Sequence, residues 1–355
     1  MKQKLAVFPY DSELSCLWKY SDLLQEYEIG CLIVPRCWGL TDQEIPVLSN
    51  GQMVSVKVQD EFSRIESNSI DAIWITEGIN RMDRNIAIKM VDVLLDMKKK
   101  ILYTSTICDE VKDIILRSNM SLNLSETNGD KNELSPSTYQ YPIDVPVIMV
   151  LSTSIMTEKF EVQLSIRKRL QEKGYKVAHV GTKSFCNLFG SHPIPDWFFD
   201  RKYTEAEKIS LFNILLKNIE KEEKPDAIVV GVPEGIIPLT KKHHFNYGVY
   251  AFEICCAVAP DYVILALPYG EYNDEFYEKM KILCQYRLNT RLDSFYVSSY
   301  QPISNSFTKP SLEFTQSNGV ITHDAKYTVF RDTDDRLLAE HIIKKLTMYD
   351  EYQIM

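Results

Sequence analysis

The stretch Val145-Pro-Val-Ile-Met-Val-Leu-Ser-Thr-Ser-Ile-Met-Thr-Glu-Lys159 decides how the second half of the chain folds. Its apolar run at 145–151 predicts a buried parallel strand, and the turn that follows leads into a helix. A strand, a short turn and a helix that starts with a lysine form the frame of a phosphate-binding loop. This frame predicts a P-loop-NTPase-like parallel sheet. The residues expected on the inner face of the helix are Val162, Leu164, Ile166 and Leu170.

The turn departs from a working phosphate-binding loop at two positions. Such loops place glycine where the strand turns and again before the lysine, because backbone amides must approach phosphate oxygens without a Cβ in the way. Ser152 and Glu158 occupy these positions here. Glu158 also brings a carboxylate to a helix N-terminus, where an anion would otherwise bind. We expect a degenerate loop that binds no triphosphate.

The opposing interpretation keeps Lys159 as a phosphate contact. The cofactor would then be ATP or GTP with magnesium, and Glu234, after an apolar strand, would hold the metal ion. The residues that would bind the nucleotide in this case are Ser152, Thr153, Lys159, Gly181 and Thr182.

Further apolar and amphipathic segments follow this unit. Gly174 is expected to end the first helix. A Ser/Asn/Thr-rich stretch through Asp324 predicts a loop or hairpin arm. The predicted strands lie at 176–180, 227–232, 261–267 and, at an edge, 294–298; the predicted helices lie at 205–222, 250–257 and 335–348, the last with Leu337, Leu338, Ile342, Ile343 and Leu346 on one side.

The first half has the alternation of a doubly wound sheet and predicts a Rossmann-like domain. No glycine fingerprint follows its first strand, so ordinary dinucleotide binding is not expected. The polar stretch at 119–144 reads as a linker between domains at 1–118 and 145–355. The predicted strands lie at 5–9, 29–35, 72–76 and 101–104, and the predicted helices at 13–26, 60–66, 83–97 and 109–118.

Composition excludes several classes of protein. The chain has 355 residues, 45% of them apolar, and a formal net charge of −9, which argues against a nucleic-acid-binding face. No apolar run is long enough to span a membrane, and the first one is too short for a signal peptide. We expect a cytoplasmic protein that binds neither nucleic acid nor membrane. The eight cysteines have no metal-site spacing, so no metal is expected.

Ligands of open parallel sheets lie beyond the carboxyl ends of the strands. Simpler interpretations exist, since Asp11 can cap a helix, Trp38 can cover the core and Glu77 can be solvated. The candidate ligand-binding residues at these ends are Asp11, Trp38, Glu77 and Asn80 in the first half and Glu234, Asn246 and Tyr269 in the second.

Several short motifs follow one another along the chain: Phe8-Pro9-Tyr10-Asp11, Trp38-Gly39-Leu40-Thr41, Glu77 with Asn80, Lys159-Phe160, Gln163-Leu164, Gly174-Tyr175-Lys176-Val177, Gly181-Thr182, Leu188-Phe189-Gly190, Gly231-Val232-Pro233, Gly235-Ile236, Asn246-Tyr247-Gly248 and Glu253-Ile254. Their order resembles a family of clostridial peptide maturation system proteins, found in cassettes for ribosomally synthesised, cysteine-rich natural-product peptides. More distantly, the two-domain layout is similar to the bacterial family that includes D-glutamate N-acetyltransferase. The chain departs from the pattern at Ser152 and Glu158, and at Lys183, where an acidic residue is expected.

The resemblance implies an accessory role in peptide maturation, with a precursor peptide or a maturation enzyme as partner. A homodimer is a further candidate assembly. No cofactor is expected for this role. The alternative is a nucleotide-dependent or acyl-CoA-dependent transferase or ligase that uses Lys159 and Glu234. A third hypothesis assigns disulfide exchange to Cys186 or to Cys255 and Cys256.

Overall fold

The computed structural model describes residues 2–49, 52–60, 69–126, 135–308, 312–317 and 326–352. The chain divides into two compact units. The first contains Met1–Asn128 and Lys183–Asp196, and the second contains Gly129–Thr182 and Trp197–Met355. Residues 183–196 therefore belong with the first unit, although they lie inside the predicted second domain.

The first unit is built on a seven-stranded sheet. Its pairs are parallel except for one antiparallel hairpin at an edge, formed by Glu44–Ser49 and Gln52–Gln59. In spatial order the strands are Glu44–Ser49, Gln52–Gln59, Tyr27–Ile33, Gln3–Phe8, Ala72–Ile75, Lys100–Tyr103 and Ser121–Asn123.

Two helices, Arg84–Asp96 and Asp109–Ile115, cover one face of this sheet with an apolar core that includes Ile73, Ile75 and Val91. Asp83 begins the longer helix, because its side chain accepts hydrogen bonds from the backbone N–H groups of the first turn. The predicted helices at 83–97 and 109–118 are confirmed.

The predicted continuous helix at 13–26 is wrong. The segment forms the helix Cys16–Lys19 between two 3₁₀ turns, Ser12–Leu14 and Ser21–Leu23. The Ser21 hydroxyl donates to the carbonyl of Trp18, a local bond that competes with helix continuation.

Other parts of the first half also differ from prediction. Residues 44–59 contribute the hairpin, which was not predicted, and Ser121–Asn123 forms an edge strand inside the stretch expected to be a linker. The predicted helix at 60–66 lies almost wholly outside the described residues.

The second unit contains a parallel sheet whose central strand is Val147–Ser152. The helix Lys159–Glu172 follows this strand and packs against the sheet through Val162, Ile166 and Leu170. The strands that the second unit contributes to this sheet, in spatial order, are Val177–Gly181, Ala227–Gly231, Val147–Ser152, Tyr262–Leu267, Ser294–Val297 and Val329–Phe330. The other helices of the unit are Glu205–Glu223, Val249–Ala257, Asp274–Arg287 and Asp335–Tyr352.

Most predictions for this unit are confirmed. Gly174 has φ +93° and ends the first helix, and a capping box of Thr204 and Glu207 begins the helix Glu205–Glu223. The arm after Ser298 includes an antiparallel pair, Tyr300–Pro302 with Phe314–Gln316.

Two details of the second unit were predicted wrongly. Ser294–Val297 is not an edge strand, because Val329–Phe330 pairs alongside it. Leu337 was expected on the inner side of the last helix but is 59% exposed. Within the described ranges, no helix combines the length and apolar character needed to cross a bilayer.

Candidate functional site

The turn after Val147–Ser152 brings Ser152, Lys159 and Glu234 together. The Lys159 ammonium group donates to Ser152 Oγ at 3.1 Å and to the backbone carbonyl of Glu234. The Ser152 hydroxyl donates to the same carbonyl at 2.7 Å. The lysine that would contact a phosphate in a working loop is thus engaged at the ends of two neighbouring strands.

The backbone of the turn is also used inside the protein. The N–H of Thr153 donates to the carbonyl of Ala266 at 3.0 Å, which continues the sheet ladder by one residue. Gly235 lies against the turn, since a Cβ there would be 2.8 Å from the carbonyl oxygen of Thr153. The Thr153 N–H and the space beside Gly235 are therefore used within the fold of the second unit.

Glu158 precedes the helix and has a left-handed backbone, with φ +53°. Its carboxylate accepts hydrogen bonds from the Ser299 N–H at 2.7 Å, from Ser299 Oγ at 3.0 Å and from Ser298 Oγ at 3.1 Å. These donors belong to the loop after Ser294–Val297. Glu158 therefore links two strand-end loops of the second unit.

Glu234 is half-buried and follows the strand Ala227–Gly231. Burial raises the pKa of its carboxyl group, although the positive charges of Lys159 and His244 oppose this change. Its Oε2 atom is buried and has no hydrogen-bond partner among the described residues. The carboxyl group is therefore poised to hold a proton more readily than an ordinary glutamate.

Gly181 and Thr182 do not join the cluster of Ser152, Lys159 and Glu234 through any hydrogen bond between described residues. Thr182 instead contacts Gln163, whose side-chain oxygen accepts from the Thr182 N–H at 3.4 Å and bonds His179 Nε2 at 3.0 Å. Gln163 is fully buried beside Gly231. This network holds the first helix against two strands.

The remaining candidates of the second half lie in separate turns. Asn246 is part of a run of four residues, Phe245 to Gly248, that all have positive φ. Next to it, the rings of His244 and Tyr247 stack at 4.7 Å. Tyr269 uses its backbone N–H to bond the carbonyl of Tyr300 at 2.7 Å.

The first unit has a cavity of about 250 Å³ at the carboxyl ends of its strands. Asp11, Glu77 and Asn80 line it, as do Arg81 and Lys183. The Arg81 guanidinium forms ion pairs with Asp11 and Glu13. Burial raises the pKa of Asp11, while the charge of Arg81 lowers it.

The other predicted residues of this unit have supporting contacts. The Asn80 amide donates to the carbonyl of Thr106 and accepts from the N–H of Cys108, both at 2.9 Å, so it joins two strand-end loops. Trp38 lies beneath Arg81, 5.1 Å from its guanidinium. Glu77 accepts a hydrogen bond from the Ser184 hydroxyl.

Trp74 and Phe185 form the apolar side of the cavity. Their ring centroids lie 4.8 Å apart. Trp74 is 0% exposed, and its indole Nε1 has no hydrogen-bond partner among the described residues. Both side chains belong to the first unit, because Phe185 lies in its second segment.

Burial disfavours the thiolate form of the cysteines named in the disulfide-exchange hypothesis. Burial raises the pKa of Cys186 to about 12 and also raises the pKa values of Cys255 and Cys256. Thiol exchange requires the thiolate, so these values oppose the disulfide-exchange hypothesis. In the part of the chain that the structure describes, no group of three or more His, Cys, Asp or Glu side chains could hold a metal ion.

No protein-family model and no curated protein matches the sequence. Among solved structures, a DUF1611 family protein from Anabaena variabilis covers 84% of this chain and 88% of its own, with a TM-score of 0.54 and 8% identity. The two proteins share a fold. The predicted α/β class, a Rossmann-like and a P-loop-like parallel sheet, is confirmed.

Two further matches have lower TM-scores. The signal recognition particle receptor FtsY from Elizabethkingia anophelis has a TM-score of 0.29 and 15% identity, over 62% of this chain and 67% of its own. FlhF complexed with GMPPNP and Mg²⁺ has a TM-score of 0.26 and 15% identity, over 62% of this chain and 78% of its own.

The sequence-based candidates lack several residues of the cavity in the first unit and of the turn around Lys159. Arg81 could have been predicted, because it follows Glu77 and Asn80 in the same turn. Trp74 is predicted only as part of a strand, and not as a residue of the cavity. Ser299 lies 141 positions from Glu158, and no local pattern connects them.

Proposed function

We propose that the chain is an accessory protein in the maturation of a ribosomally synthesised peptide. It binds the precursor peptide or a partner enzyme and uses its P-loop-like unit as a scaffold without hydrolysing nucleotide. The observation that carries the proposal is the internal use of Lys159, whose ammonium group bonds Ser152 Oγ and the carbonyl of Glu234.

The surroundings of Lys159 support the same conclusion. The carboxylate of Glu158 stands at the start of the helix, where its negative charge repels a triphosphate. Three hydrogen bonds from Ser298 and Ser299 fix that carboxylate, so removing it from the helix start would cost all three. Thr153 uses its N–H in the sheet. The groups of the turn thus serve folding rather than phosphate binding.

A pull-down experiment tests the binding role. The full chain, immobilised, is incubated with the precursor peptide and with the enzymes encoded beside it. We expect capture of the peptide or of one enzyme both in the presence and in the absence of ATP or GTP. Failure to capture any of them, or capture only when nucleotide is hydrolysed, would contradict the proposal.

One observation favours a second candidate function, a nucleotide-dependent or acyl-CoA-dependent transferase or ligase. The half-buried carboxyl group of Glu234 has a raised pKa and an unpartnered oxygen near Lys159. Such a pair can transfer a proton during a reaction. In this case Lys159→Ala abolishes peptide modification without unfolding the protein, whereas Lys173→Ala at the end of the same helix does not. Unchanged modification by the Lys159 variant would exclude the candidate.

A further inference from the structure

We propose that the cavity of the first unit binds the N-terminal residue of a peptide. It recognises a primary ammonium group together with the carbonyl oxygen of the same residue. The inference deepens the proposed function, on which it rests, by assigning the end of the peptide to a defined set of side chains.

The charges around the cavity favour a cation. Among the described residues, its lining includes three carboxylates, from Asp11, Glu13 and Glu77, and two cations, from Arg81 and Lys183, which leaves a net charge of −1. Arg81 is shared between Asp11 and Glu13, whereas Glu77 accepts from a neutral hydroxyl. One ammonium group would neutralise the excess, and a phosphate would increase it.

Trp74 adds a requirement for a hydrogen-bond acceptor. Its indole N–H is buried and has no acceptor among the residues that the structure describes. Leaving a buried donor unpaired is unfavourable, and an acceptor on a ligand would remove this penalty. The carbonyl oxygen next to the ammonium group of a peptide is such an acceptor. A simple amine lacks it.

The size of the cavity limits the ligand to about one residue. Its volume of about 250 Å³ lies below the roughly 300–1,000 Å³ that is usual for sites of drug-sized ligands and cofactors. Trp74 and Phe185 provide an apolar side, and the carboxylates line the same cavity. A residue with its own ammonium group and a small or apolar side chain fits this combination.

The test measures binding of short peptides to the full chain by isothermal titration calorimetry. The probes are dipeptide amides with varied first residues, the same compounds with an acetylated N-terminus, and the free amino acids. We expect some unblocked dipeptide amides to bind and their acetylated forms not to bind. Free amino acids should bind at least about tenfold more weakly, because their carboxylate adds negative charge.

Two variants and a control locate the binding. Glu77→Gln removes one charge but keeps an acceptor for Ser184, and Trp74→Phe removes the N–H but keeps an aromatic ring. We expect each to weaken dipeptide binding about tenfold or more, and the exposed Asp92→Asn in the helix Arg84–Asp96 to leave it unchanged.

The proposal is overturned if acetylated peptides bind as well as unblocked ones, if no dipeptide amide binds at millimolar concentration, or if both variants bind like the wild type. The acetylation comparison uses the unchanged protein, so a variant that misfolds does not prevent a decision. Capture of a precursor peptide regardless of its acetylation would overturn this inference and leave the proposed function intact. Binding of dipeptide amides without capture of a precursor would support the inference about the cavity and contradict the proposed function.

Discussion

Lys159 donates a hydrogen bond to the backbone carbonyl of Glu234, 75 positions further along the chain. The contact forms because the strand before Lys159 and the strand before Glu234 are parallel neighbours, so both strands end at the same edge of the sheet. An ammonium group at this edge is the usual means of holding a phosphate. Here it stabilises the junction between two strand-end loops.

ATP and GTP, each with Mg²⁺, should leave the melting temperature of the protein unchanged. A ligand at 100 times its Kd would add about 2.7 kcal/mol of stability, which corresponds to a shift of several degrees. Differential scanning fluorimetry at millimolar nucleotide measures the effect, with the Lys159→Met variant as a control. A shift of several degrees that the variant abolishes would show that the loop still binds nucleotide.

Glu158→Ala should destabilise the second unit by about 2–4 kcal/mol, because the donors of Ser298 and Ser299 lose a charged acceptor. Glu158→Gly loses the same bonds but suits the left-handed backbone, so it should be more stable than the alanine variant by about 1 kcal/mol. Urea denaturation of both variants measures the difference. Equal stability would argue against backbone strain at this position.

Gly231→Ala should lower the free energy of unfolding by about 1–3 kcal/mol, because the added Cβ would overlap the buried carboxamide of Gln163. The same substitution at Gly270, where a Cβ would meet its nearest neighbour at 3.5 Å, should have a small effect. In a Gln163→Ala background the cost of Gly231→Ala should fall, which a double-mutant cycle detects. Additive effects would indicate that the two residues do not compete for space.

Glu253 should make stability depend on pH. It is fully buried, with Lys208 Nζ 4.0 Å away, and burial raises its pKa from 4.5 to about 7. The folded protein therefore binds more protons than the unfolded one between these values. Stability should fall as the pH rises from about 4.5 to about 7, by at most about 3 kcal/mol, and then level off.

The stability of the Glu253→Gln variant should not fall between about pH 4.5 and pH 7, because glutamine does not titrate. This expectation holds even if the substitution changes the stability by the same amount at every pH. The exposed Glu222→Gln serves as the matched control and should keep the decline. Chemical denaturation at pH 5, 6, 7 and 8 provides the comparison. The same slope in both variants would assign the decline to another group.

Sequence reasoning succeeded where local chemistry agrees with the fold. The helix Glu205–Glu223 has its capping box, and the apolar run before Ser152 becomes a central strand buried on both faces. The paired strands Glu44–Ser49 and Gln52–Gln59 are missing from the prediction, although the dipeptide between them in the sequence, Asn50-Gly51, favours hairpin turns. These strands are mostly exposed, so they carry little apolar signal.

The candidate sites depended on contacts that local patterns do not encode. The prediction that Glu158 opposes phosphate binding rests only on its position before a helix. Its partners Ser298 and Ser299 became visible only through the pairing of Tyr262–Leu267 with Ser294–Val297. Phe185 beside Trp74 required knowledge that residues 183–196 belong to the first unit.

The assignment of residues 183–196 to the first unit, between two stretches of the second, has a consequence for recombination. Each unit is assembled from two separate stretches, so a single crossover between genes could not exchange one unit cleanly for a homologous one. A fragment that ends at residue 144 would lack Phe185 and leave the indole of Trp74 without its neighbour. Exchange of one complete unit between homologous genes would therefore need more than one crossover.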